Sequence, residues 1–364
     1  MKPLRIAIDA APLLMRSAGV KNYLYHWIAA LRSAASPTEE IHGFPLLADL
    51  GRLHHDASTR SGWSTLWRLA AVHAANRLGP FALEPLLEGA QILHATNQIR
   101  QAPKRALLTT TLHDVTAFLM PEIHTRGNVE ADRRFAERIL CRADGIIAVS
   151  ENTRADAIRV LNVRPERIAT IHSGVADEYF DAQPIRRERP YALFVGSIEP
   201  RKNLDTLLNA WKLLKPELRR EFDLVIAGPV GWGAQSTLRR IQAEAVYLGY
   251  VAESQLPGLT AGASAFVYPS LYEGFGFPVA QAMAAGVPVI TSRNSCLPEI
   301  TAGAGVLVDP RSPSELASGI ASVLESPDLR GKLSALGKQA AGRYRWARCA
   351  RESLGFFRRV AGRV

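Results

Sequence analysis

The sequence predicts an α/β protein made of two domains, each built on a parallel sheet. Its 364 residues, 47% of them apolar, are too many for one ordinary hydrophobic core, because cores stop growing at roughly 250–300 residues. Apolar, β-rich segments alternate with helix-patterned segments in both halves, which is typical of parallel α/β layers. Residues 174–190 separate the two series and are rich in Asp, Glu, Arg and Pro, a composition that suits a linker.

The elements follow in order along the chain. In the first half the strand candidates are 4–8, 41–46, 92–95, 106–112 and 145–149, and helical patterns cover 23–33, 63–78 and 129–142. In the second half the strand candidates are 192–195, 223–227, 245–248, 265–268, 287–291 and 305–308. We therefore predict a first domain over 1–173, a second over 174–345 and a closing helical segment over 346–364. Two such domains place a ligand at the carboxyl ends of their strands.

The composition excludes several classes of protein. A chain with 21% charged and 47% apolar residues is not disordered. The three cysteines, Cys141, Cys296 and Cys349, lie far apart with no C-x-x-C, so neither a disulfide framework nor a thiolate zinc site is expected. The sequence has no run of about 18 uncharged apolar residues, so no membrane span is predicted. Charges at Arg5 and Asp9 interrupt the N-terminal apolar stretch, so we expect a cytoplasmic protein rather than a secreted one.

The formal charge of +10 is concentrated near the C-terminus. From Arg330 onward the chain has ten Lys or Arg and one acid, which leaves the preceding residues almost neutral and argues against a nucleic-acid partner. Apolar residues recur every three or four positions over 346–360. The arginines fall on another face: Arg348, Arg351, Arg359 and Arg363. Two interpretations stay open, a terminal helix packed on the body and a basic amphipathic element at an anionic membrane.

The most informative stretch is Phe266-Val-Tyr-Pro-Ser-Leu-Tyr-Glu-Gly-Phe-Gly-Phe-Pro-Val-Ala-Gln-Ala-Met-Ala-Ala-Gly-Val-Pro-Val-Ile-Thr291. It predicts a strand, a glycine loop, a helix, a glycine stop and a second strand. Pro278 suits the first helical turn, and Gly286 suits the position that ends the helix. Gly274 and Gly276 allow a ligand to approach the backbone beside a helix N-terminus, where phosphate is favoured.

A second stretch, Phe194-Val-Gly-Ser-Ile-Glu-Pro-Arg-Lys-Asn203, ends a strand near Ser197 and then presents Arg201 and Lys202. Two adjacent cations at the carboxyl end of a strand neutralise a diphosphate without a metal, since arginine forks onto oxygens and lysine acts as a point charge. An isolated Arg-Lys pair is more often a solvated pair in a loop, and this alternative stays open for the motif alone.

The first half offers weaker signals. His113-Asp114 follows the strand 106–112 and is a candidate polar contact to substrate, with a structural role as the alternative. Gly19 lies after the first strand, before a helix expected to begin near Asn22, where it is either a turn glycine or a site of close backbone approach. The sequence lacks G-x-x-x-x-G-K-[ST], G-x-G-x-x-G, G-x-S-x-G and H-E-x-x-H, so none of those four site types is predicted.

Together these stretches resemble the retaining glycosyltransferases of family 4, which have the GT-B fold, and the likeness covers nearly the whole chain. The matching stretches are Ala143-Asp-Gly-Ile-Ile-Ala-Val-Ser150, Ile171-His-Ser-Gly-Val175, Val195-Gly-Ser-Ile-Glu-Pro-Arg-Lys-Asn203, Tyr247-Leu-Gly-Tyr250, Tyr272-Glu-Gly-Phe-Gly-Phe-Pro278 and Leu297-Pro-Glu-Ile300. The resemblance implies two Rossmann-like domains facing across a cleft and a last helix that returns to the first domain. It also implies a nucleotide-sugar donor held by the second domain and an acceptor held by the first.

The resemblance further implies roles for single residues. Arg201 and Lys202 match the pair that holds the donor diphosphate, and Glu273 matches the acid that contacts the transferred sugar. His113 matches the histidine beside the reacting carbon, and Gly19 matches a phosphate-facing turn. Further donor-binding candidates in the matching loops are Ser197, Gly274, Phe275, Gly276 and Phe277. Such an enzyme needs no cofactor and no metal, because the cations stabilise the leaving diphosphate.

Two positions depart from the family pattern. Gln281 stands where the family has a second acid that binds the ribose hydroxyls, and an amide accepts a hydrogen bond at only one of its ends. We expect nucleotide binding to be weaker by about 1–2 kcal/mol, with activity retained. The first loop reads Gly19-Val-Lys-Asn-Tyr23 where the family often has Gly-Ile-Gly-Arg-Tyr, which makes Lys21 a candidate for the missing cation.

The function expected from this resemblance is transfer of a hexose, with mannose from GDP-mannose favoured, to a saccharide or lipid-linked saccharide in surface-polysaccharide assembly. The donor is a substrate, and no nucleic acid is expected as a partner. Two alternatives stay open: a nucleotide-sugar 2-epimerase of the same architecture, and a non-catalytic protein that binds nucleotide sugars. A peripheral contact with the inner face of the membrane is a further open option, and the oligomeric state is not encoded.

The segment 63–78 places Trp63, Trp67 and Ala70 at helical spacing. We expect a helix that packs this stripe against the body of the first domain. The alternative is that exposed tryptophans there contact the acceptor or a membrane.

Overall fold

The computed structural model describes residues 3–16, 19–54 and 57–362, and the chain divides into two compact units. Met1–Gly174 and Trp346–Val364 form the first unit, and Val175–Arg345 forms the second. Within the described residues each unit contains one six-stranded sheet, and every paired strand in it is parallel. The predicted α/β class with two parallel sheets is therefore confirmed.

The first unit contains most of its elements before the chain enters the second. Its strands are β1 (Leu4–Asp9), β2 (Glu39–Phe44), β3 (Ile92–Ala95), β4 (Leu107–Leu112), β5 (Gly145–Ala148) and β6 (Ile168–Thr170). Its helices up to that point are α1 (Gly19–Ala34), α2 (Gly62–Leu78), α3 (Pro80–Leu83), α4 (Thr116–Leu119), α5 (Arg126–Arg138) and α6 (Glu151–Leu161). The strand β6 was not predicted, because three residues are too few to show an apolar pattern.

The second unit confirms all six predicted strands within two residues at each end. They are β7 (Tyr191–Val195), β8 (Asp223–Ala227), β9 (Val246–Gly249), β10 (Ala265–Tyr268), β11 (Val289–Ser292) and β12 (Gly305–Val308). The helices are α7 (Asp177–Phe180), α8 (Leu204–Leu213), α9 (Pro216–Glu221), α10 (Gln235–Glu244), α11 (Leu256–Ala261), α12 (Phe277–Ala284), α13 (Leu297–Thr301), α14 (Pro313–Glu325) and α15 (Pro327–Ala341). The expected linker 174–190 contains α7, whose Tyr179 is buried, so this segment is folded as part of the second unit.

Strand order fixes where each sheet can bind a ligand. The first sheet has the order β2-β1-β3-β4-β5-β6, and the second has the order β12-β11-β10-β7-β8-β9. The direction of winding reverses between β1 and β3 in the first sheet and between β7 and β10 in the second. In doubly wound sheets the loops at the carboxyl ends of such a strand pair diverge and leave a crevice for ligands.

The last helix, α16 (Trp346–Val360), packs in the first unit against α1. Its apolar stripe is buried, and the indole Nε1 of Trp27 donates to the Ser353 hydroxyl at 3.0 Å. Arg358 binds the buried carboxylate of Glu39 at 2.9 Å, and Arg348 and the other described arginines are exposed. The packed-helix interpretation is therefore confirmed, as is the implied return of this helix; Arg363 lies outside the described residues.

Two expectations about helices in the first unit were wrong. Helix α1 begins at Gly19 rather than near Asn22, so Gly19 is its first residue and not part of a preceding turn. Helix α2 forms as expected, but it turns the tryptophan stripe outward: Trp63 is 84% exposed and Trp67 is 42% exposed. Its other face, which includes Val72, is the one that packs on the unit.

Apolar periodicity predicts that residues share a face, and it does not determine which face meets solvent. Among the described residues, no helix combines the length and the apolar character needed to cross a bilayer.

Candidate active site

The predicted cation pair lies at the switch point of the second sheet. Pro200–Lys202 form a 3-10 turn that follows β7, the strand that pairs with β10. Asn203 then adopts a left-handed conformation with φ of 59°, and its side-chain amide donates to the carbonyls of Pro269 and Pro310 at 3.0 and 2.6 Å. These bonds tie the turn to the loop after β10, so the positions of Arg201 and Lys202 are fixed by the backbone of a neighbouring strand.

Arg201, Lys202 and Glu273 form one ion-pair network. The Lys202 ammonium lies 2.7 Å from Glu273 Oε1, and Arg201 Nη1 lies 2.8 Å from Glu273 Oε2. The other terminal nitrogen of Arg201 binds Glu199 at 2.9 Å, and the Ser270 hydroxyl donates to Glu273 Oε1 at 2.6 Å. The structure thus brings together the three residues of the second domain that the sequence singled out for catalysis.

Tyr268 completes the network at the end of β10. Lys202 Nζ donates to the Tyr268 hydroxyl at 2.6 Å, and that hydroxyl donates to Glu273 Oε1 at 3.1 Å. The Tyr268 ring is fully buried, so the network rests on the core of the sheet rather than on a mobile loop. Neither Tyr268 nor Ser270 nor Glu199 received a role from the sequence. The sequence feature that could have indicated them is their position, because all three end or follow β7 and β10 at one edge of the sheet.

Burial and charge act against each other at Glu273. Burial alone raises the pKa of this carboxyl, but the charges of Arg201 and Lys202, with hydrogen bonds from Lys202 and Ser270, hold the pKa at about 2. Burial and the neighbouring Arg201 lower the pKa of the Lys202 ammonium, while Glu273 opposes that change. Glu273 is therefore ionised at neutral pH and is a very weak base. Its oxygens accept hydrogen bonds and do not take up protons.

The glycine loop leads into the N-terminus of α12 as predicted. Gly276 adopts φ of 79°, a backbone conformation that favours glycine, and a Cβ there would lie 2.8 Å from Leu297 Cδ2, so the leucine side chain would have to shift. Pro278 occupies the first turn of α12. The backbone N–H groups at this end, with the helix dipole, favour an anion next to the Arg201–Lys202 pair.

The other candidates in this loop divide into two kinds. The Phe275 ring is 3% exposed and packs edge-on against Tyr344, so it supports the loop from inside. Gly274 is buried as well, whereas Phe277 and Ser197 are partly exposed. Gln281 is partly exposed one turn into α12.

In the first unit, His113 directly follows β4. Its ring lies edge-on to the Tyr23 ring, with 4.8 Å between the two ring centroids. Loss of hydration lowers the pKa of His113 to about 4, although the adjacent Asp114 partly offsets this. The imidazole is therefore neutral at pH 7 and offers one donor and one acceptor. The Asp114 carboxylate accepts from the backbone N–H and the hydroxyl of Thr116, the first residue of α4, at 3.0 and 2.6 Å.

Gly19 opens α1, and a Cβ at this position would have no atom within 4 Å in the structure. The fold itself therefore does not require glycine there. Asp9, at the end of β1, accepts from the backbone N–H of Thr96 at 3.2 Å and so connects the two strands at the switch point of the first sheet. Burial raises the pKa of Asp9 to about 6.

Lys21 does not supply a cation to a ligand in this structure. Its side chain is fully buried, and its ammonium donates to the carbonyls of Met15 and Ala57 at 2.7 and 2.6 Å. Burying a lysine is costly unless such acceptors meet its protons, so Lys21 stabilises the two segments that carry these carbonyls. The proposal that it replaces the family's missing arginine is wrong on this geometry.

Two family models match the chain. The model of the glycosyl transferases group 1 matches residues 175–340, and that of glycosyltransferase family 4 matches residues 19–179. The O-antigen chain mannosyltransferase B of Escherichia coli is 33% identical over 264 residues, which are 68% of this chain and 69% of that protein.

Solved structures share the fold across the whole chain. Sucrose-phosphate synthase from Thermosynechococcus elongatus has a TM-score of 0.74 at 19% identity, with 100% of both chains covered. HepE from Anabaena, in complex with UDP and glucose, has a TM-score of 0.69 at 17% identity, with 97% of this chain and 99% of that chain covered. Fold and sequence thus define a glycosyltransferase with the GT-B fold. The chain belongs to glycosyltransferase family 4, group 1.

Proposed function

We propose that the protein is a retaining mannosyltransferase that moves mannose from GDP-mannose to a hydroxyl of a saccharide or lipid-linked saccharide in surface-polysaccharide assembly. The observation that carries this proposal is the Arg201–Lys202 pair, held at the switch point beside the N-terminus of α12. The choice of mannose is supported by the Escherichia coli relative, whose name describes an O-antigen chain mannosyltransferase. We place this activity at the cytoplasmic face of the membrane, where a lipid-linked acceptor is assembled.

The chemistry that these residues serve is departure of a diphosphate. The bond between the anomeric carbon and the diphosphate oxygen breaks, and both electrons stay on that oxygen. Arg201 and Lys202 supply positive charge where this negative charge develops, and the α12 N-terminus adds backbone donors. The acceptor oxygen bonds to the anomeric carbon on the same face, and its proton passes to the departing phosphate oxygen. The products are the mannoside with retained configuration and GDP.

Glu273 is assigned to orientation rather than to nucleophilic attack. Its two oxygens are bound by Arg201, Lys202 and Ser270, and its pKa of about 2 makes it a poor base and a weak nucleophile. We assign it to the hydroxyls of the transferred sugar and to the alignment of the two cations. His113, neutral at pH 7, is assigned to a hydrogen bond with the sugar near the reacting carbon.

The proposal requires no divalent metal at the diphosphate, because Arg201 and Lys202 carry the two charges that a metal supplies elsewhere. Glu199 and Glu273 balance these charges within the protein, so a bound diphosphate shares the cations with them. Chelation by EDTA is therefore expected to leave the transfer rate unchanged. A rate that falls on chelation and returns with Mg²⁺ or Mn²⁺ would contradict this part of the proposal.

The test begins with donor identity. Thermal unfolding is measured with GDP-mannose, UDP-glucose, UDP-N-acetylglucosamine and dTDP-rhamnose, since a donor at 100 times its Kd adds about 2.7 kcal/mol. GDP-mannose is expected to raise the Tm most. The same donors are then incubated with mannosyl oligosaccharides, and the anomeric configuration of the product is read by NMR.

Transfer of mannose from GDP-mannose with retained configuration supports the proposal. Conversion of UDP-N-acetylglucosamine to its 2-epimer without transfer would establish the epimerase instead. Binding of a donor without turnover, with or without any acceptor, would establish a non-catalytic protein that binds nucleotide sugars.

A further inference from the structure

The first unit exposes a continuous apolar surface along α2 and α3, which we call the α2–α3 surface. It is formed by large side chains with high exposure: Trp63 at 84%, Leu66 at 62%, Trp67 at 42%, Leu78 at 71% and Phe81 at 78%. Single exposed apolar residues are ordinary, but five on two consecutive helices mark an interaction surface. Two tryptophans so exposed to water are unfavourable unless another apolar phase covers them.

The geometry of α2 places these side chains together. Trp63, Leu66, Trp67 and Ala70 are separated by three or four positions, so they follow one face of the helix. The opposite face packs on the unit through smaller residues such as Val72 and Ala75, which are 6% and 1% exposed. The helix therefore presents its bulkiest apolar residues to the outside and uses its smaller ones for packing.

Cations are interleaved with these aromatic rings. The guanidinium carbon of Arg68 lies 4.1 Å from the centroid of the Trp67 ring, and the Lys104 ammonium lies 3.7 Å from that of the Phe81 ring. Arg77 is exposed on the same face of α2 as Trp63. Between residues 57 and 83 the sequence has no acid and three arginines, of which Arg60 is ion-paired with Asp49 at 2.7 Å.

A cavity of about 890 Å³ continues the surface beyond α3. Phe81, Lys104 and Arg105 are among its lining residues. Glu84, the nearby acid, accepts from the backbone N–H groups of Lys104 and Arg105 at 2.6 and 3.0 Å. Both of these basic side chains are exposed. The far end of the surface therefore also joins an aromatic ring to cations.

We propose that the α2–α3 surface docks on an anionic lipid bilayer, with Trp63, Trp67 and Phe81 entering the interfacial layer and Arg77 and Lys104 contacting lipid phosphates. Tryptophan beside arginine or lysine is the composition that the membrane interface favours, since its ring meets the acyl boundary while the cation meets the headgroups. This surface, rather than the basic closing helix, is the membrane contact, because α16 buries its own apolar stripe within the first unit.

Charge complementarity selects the bilayer over a second copy of the chain. A symmetric contact through this surface would bring the same cations of two copies together. Glu84, the acid beside these cations, already accepts through its Oε1 from the backbone N–H groups of Lys104 and Arg105. An anionic bilayer supplies negative charge to every cation and an apolar layer to every ring.

The test is co-sedimentation of the full chain with vesicles of phosphatidylcholine and of phosphatidylcholine mixed with phosphatidylglycerol. Wild type is expected to bind the mixed vesicles more tightly, and added salt is expected to weaken that binding. The variant Trp63→Ser/Trp67→Ser is expected to lower the partition coefficient by about tenfold or more. Its matched control is Leu213→Ser/Leu336→Ser, which removes apolar side chains that are 60% and 38% exposed in the second unit and is expected to bind as wild type does.

The charged part is tested separately. Arg77→Gln/Lys104→Gln is expected to weaken binding to mixed vesicles by about fivefold per charge. Its control, Lys215→Gln/Arg220→Gln, removes two cations whose side chains are 72% and 75% exposed in the second unit and is expected to change binding little. Quenching of tryptophan fluorescence by brominated lipid gives a second readout, which Trp63→Phe/Trp67→Phe is expected to reduce strongly.

Three results would overturn the proposal. The first is no sedimentation of wild type with mixed vesicles, and the second is vesicle binding by Trp63→Ser/Trp67→Ser, or quenching in Trp63→Phe/Trp67→Phe, equal to that of wild type. The third is a wild-type dimer in analytical ultracentrifugation that Trp63→Ser/Trp67→Ser abolishes. The proposal does not rest on the transferase assignment, because vesicle binding is measured without donor or acceptor. Transfer to a water-soluble oligosaccharide by Trp63→Ser/Trp67→Ser separates the two, since failed docking leaves that reaction intact.

Discussion

The Lys202 ammonium lies 2.7 Å from the Glu273 carboxylate, and both side chains are more than nine-tenths buried. A buried ion pair contributes little net stability compared with a well-packed apolar pair, yet the loss of one partner is severe because the other charge stays buried. The two residues come from loops that follow adjacent strands, β7 and β10. Their contact therefore joins local stability to the placement of the cations at the ligand edge of the sheet.

Removing Lys202 alone is expected to destabilise the protein. Lys202→Met leaves Glu273 with fewer partners and is expected to lower the free energy of unfolding by about 3 kcal/mol. Lys202→Met/Glu273→Gln removes both charges, so its cost is expected to be smaller than the sum of the single changes by about 1–3 kcal/mol. Urea unfolding of wild type, Lys202→Met, Glu273→Gln and the double variant measures this coupling. Strictly additive costs would show that the pair does not interact as the distances indicate.

Stability is expected to fall on the acid side because His113 stays neutral in the folded state. Its folded pKa of about 4 lies below the usual value of 6.5, so between these values the unfolded chain binds a proton that the native protein does not. The stability that the protein has while His113 is neutral in both states is fully present above pH 6.5 and is lost as the pH falls toward 4. In urea unfolding at a series of pH values, the free energy of unfolding is expected to decline less steeply with falling pH for His113→Gln than for wild type. An NMR titration in which His113 protonates near pH 6.5 would contradict this account.

Gly19 is expected to matter for activity and not for folding. A Cβ at Gly19 meets no atom within 4 Å, and the same holds for Gly62, the first residue of α2. Neither Gly19→Ala nor Gly62→Ala is therefore expected to lower the Tm. If the donor phosphate approaches the backbone at Gly19, only Gly19→Ala raises the KM for donor. Equal KM values for the two variants would remove Gly19 from the donor site.

Gln281 is expected to limit nucleotide affinity. Gln281→Glu restores a carboxylate that accepts from both ribose hydroxyls, so the Kd for the nucleotide is expected to fall by about tenfold, which corresponds to about 1.4 kcal/mol. Isothermal titration with GDP measures the change. The matched control, Gln235→Glu, lies in the first turn of α10 and is expected to leave the Kd unchanged. A Kd that does not respond to Gln281→Glu would place position 281 away from the ribose.

Sequence reasoning predicted the parts of the fold and site that depend on local pattern. The strands Asp223–Ala227 and Ala265–Tyr268 were predicted with both boundaries, because each is a short apolar run bounded by polar or glycine residues. Arg201, Lys202 and Glu273 were found from their motifs, and the rule that strand ends share an edge explains why they meet.

Features that depend on tertiary partners were not predictable in the same way. The exposure of Trp63 follows from which side of α2 meets the sheet, and periodicity carries no such information. Ser270 and Glu199 carry no motif of their own, and their part in the network appears only once β7 and β10 are side by side. Lys21 was considered a cation open to ligands. Its burial could not be predicted, because it depends on the carbonyls of Met15 and Ala57, which only the folded chain brings to its ammonium.

The most direct test of the central claim is the turnover of Arg201→Ala compared with Arg220→Ala, a matched loss of an arginine whose side chain is 75% exposed on α9. The measurement is single-turnover transfer of mannose from GDP-mannose to an oligosaccharide acceptor, with far-UV circular dichroism confirming that both variants are folded. If Arg201 stabilises the departing diphosphate, its loss lowers the transfer rate by about 10²–10³ while the control matches wild type. Full turnover by folded Arg201→Ala would contradict the account.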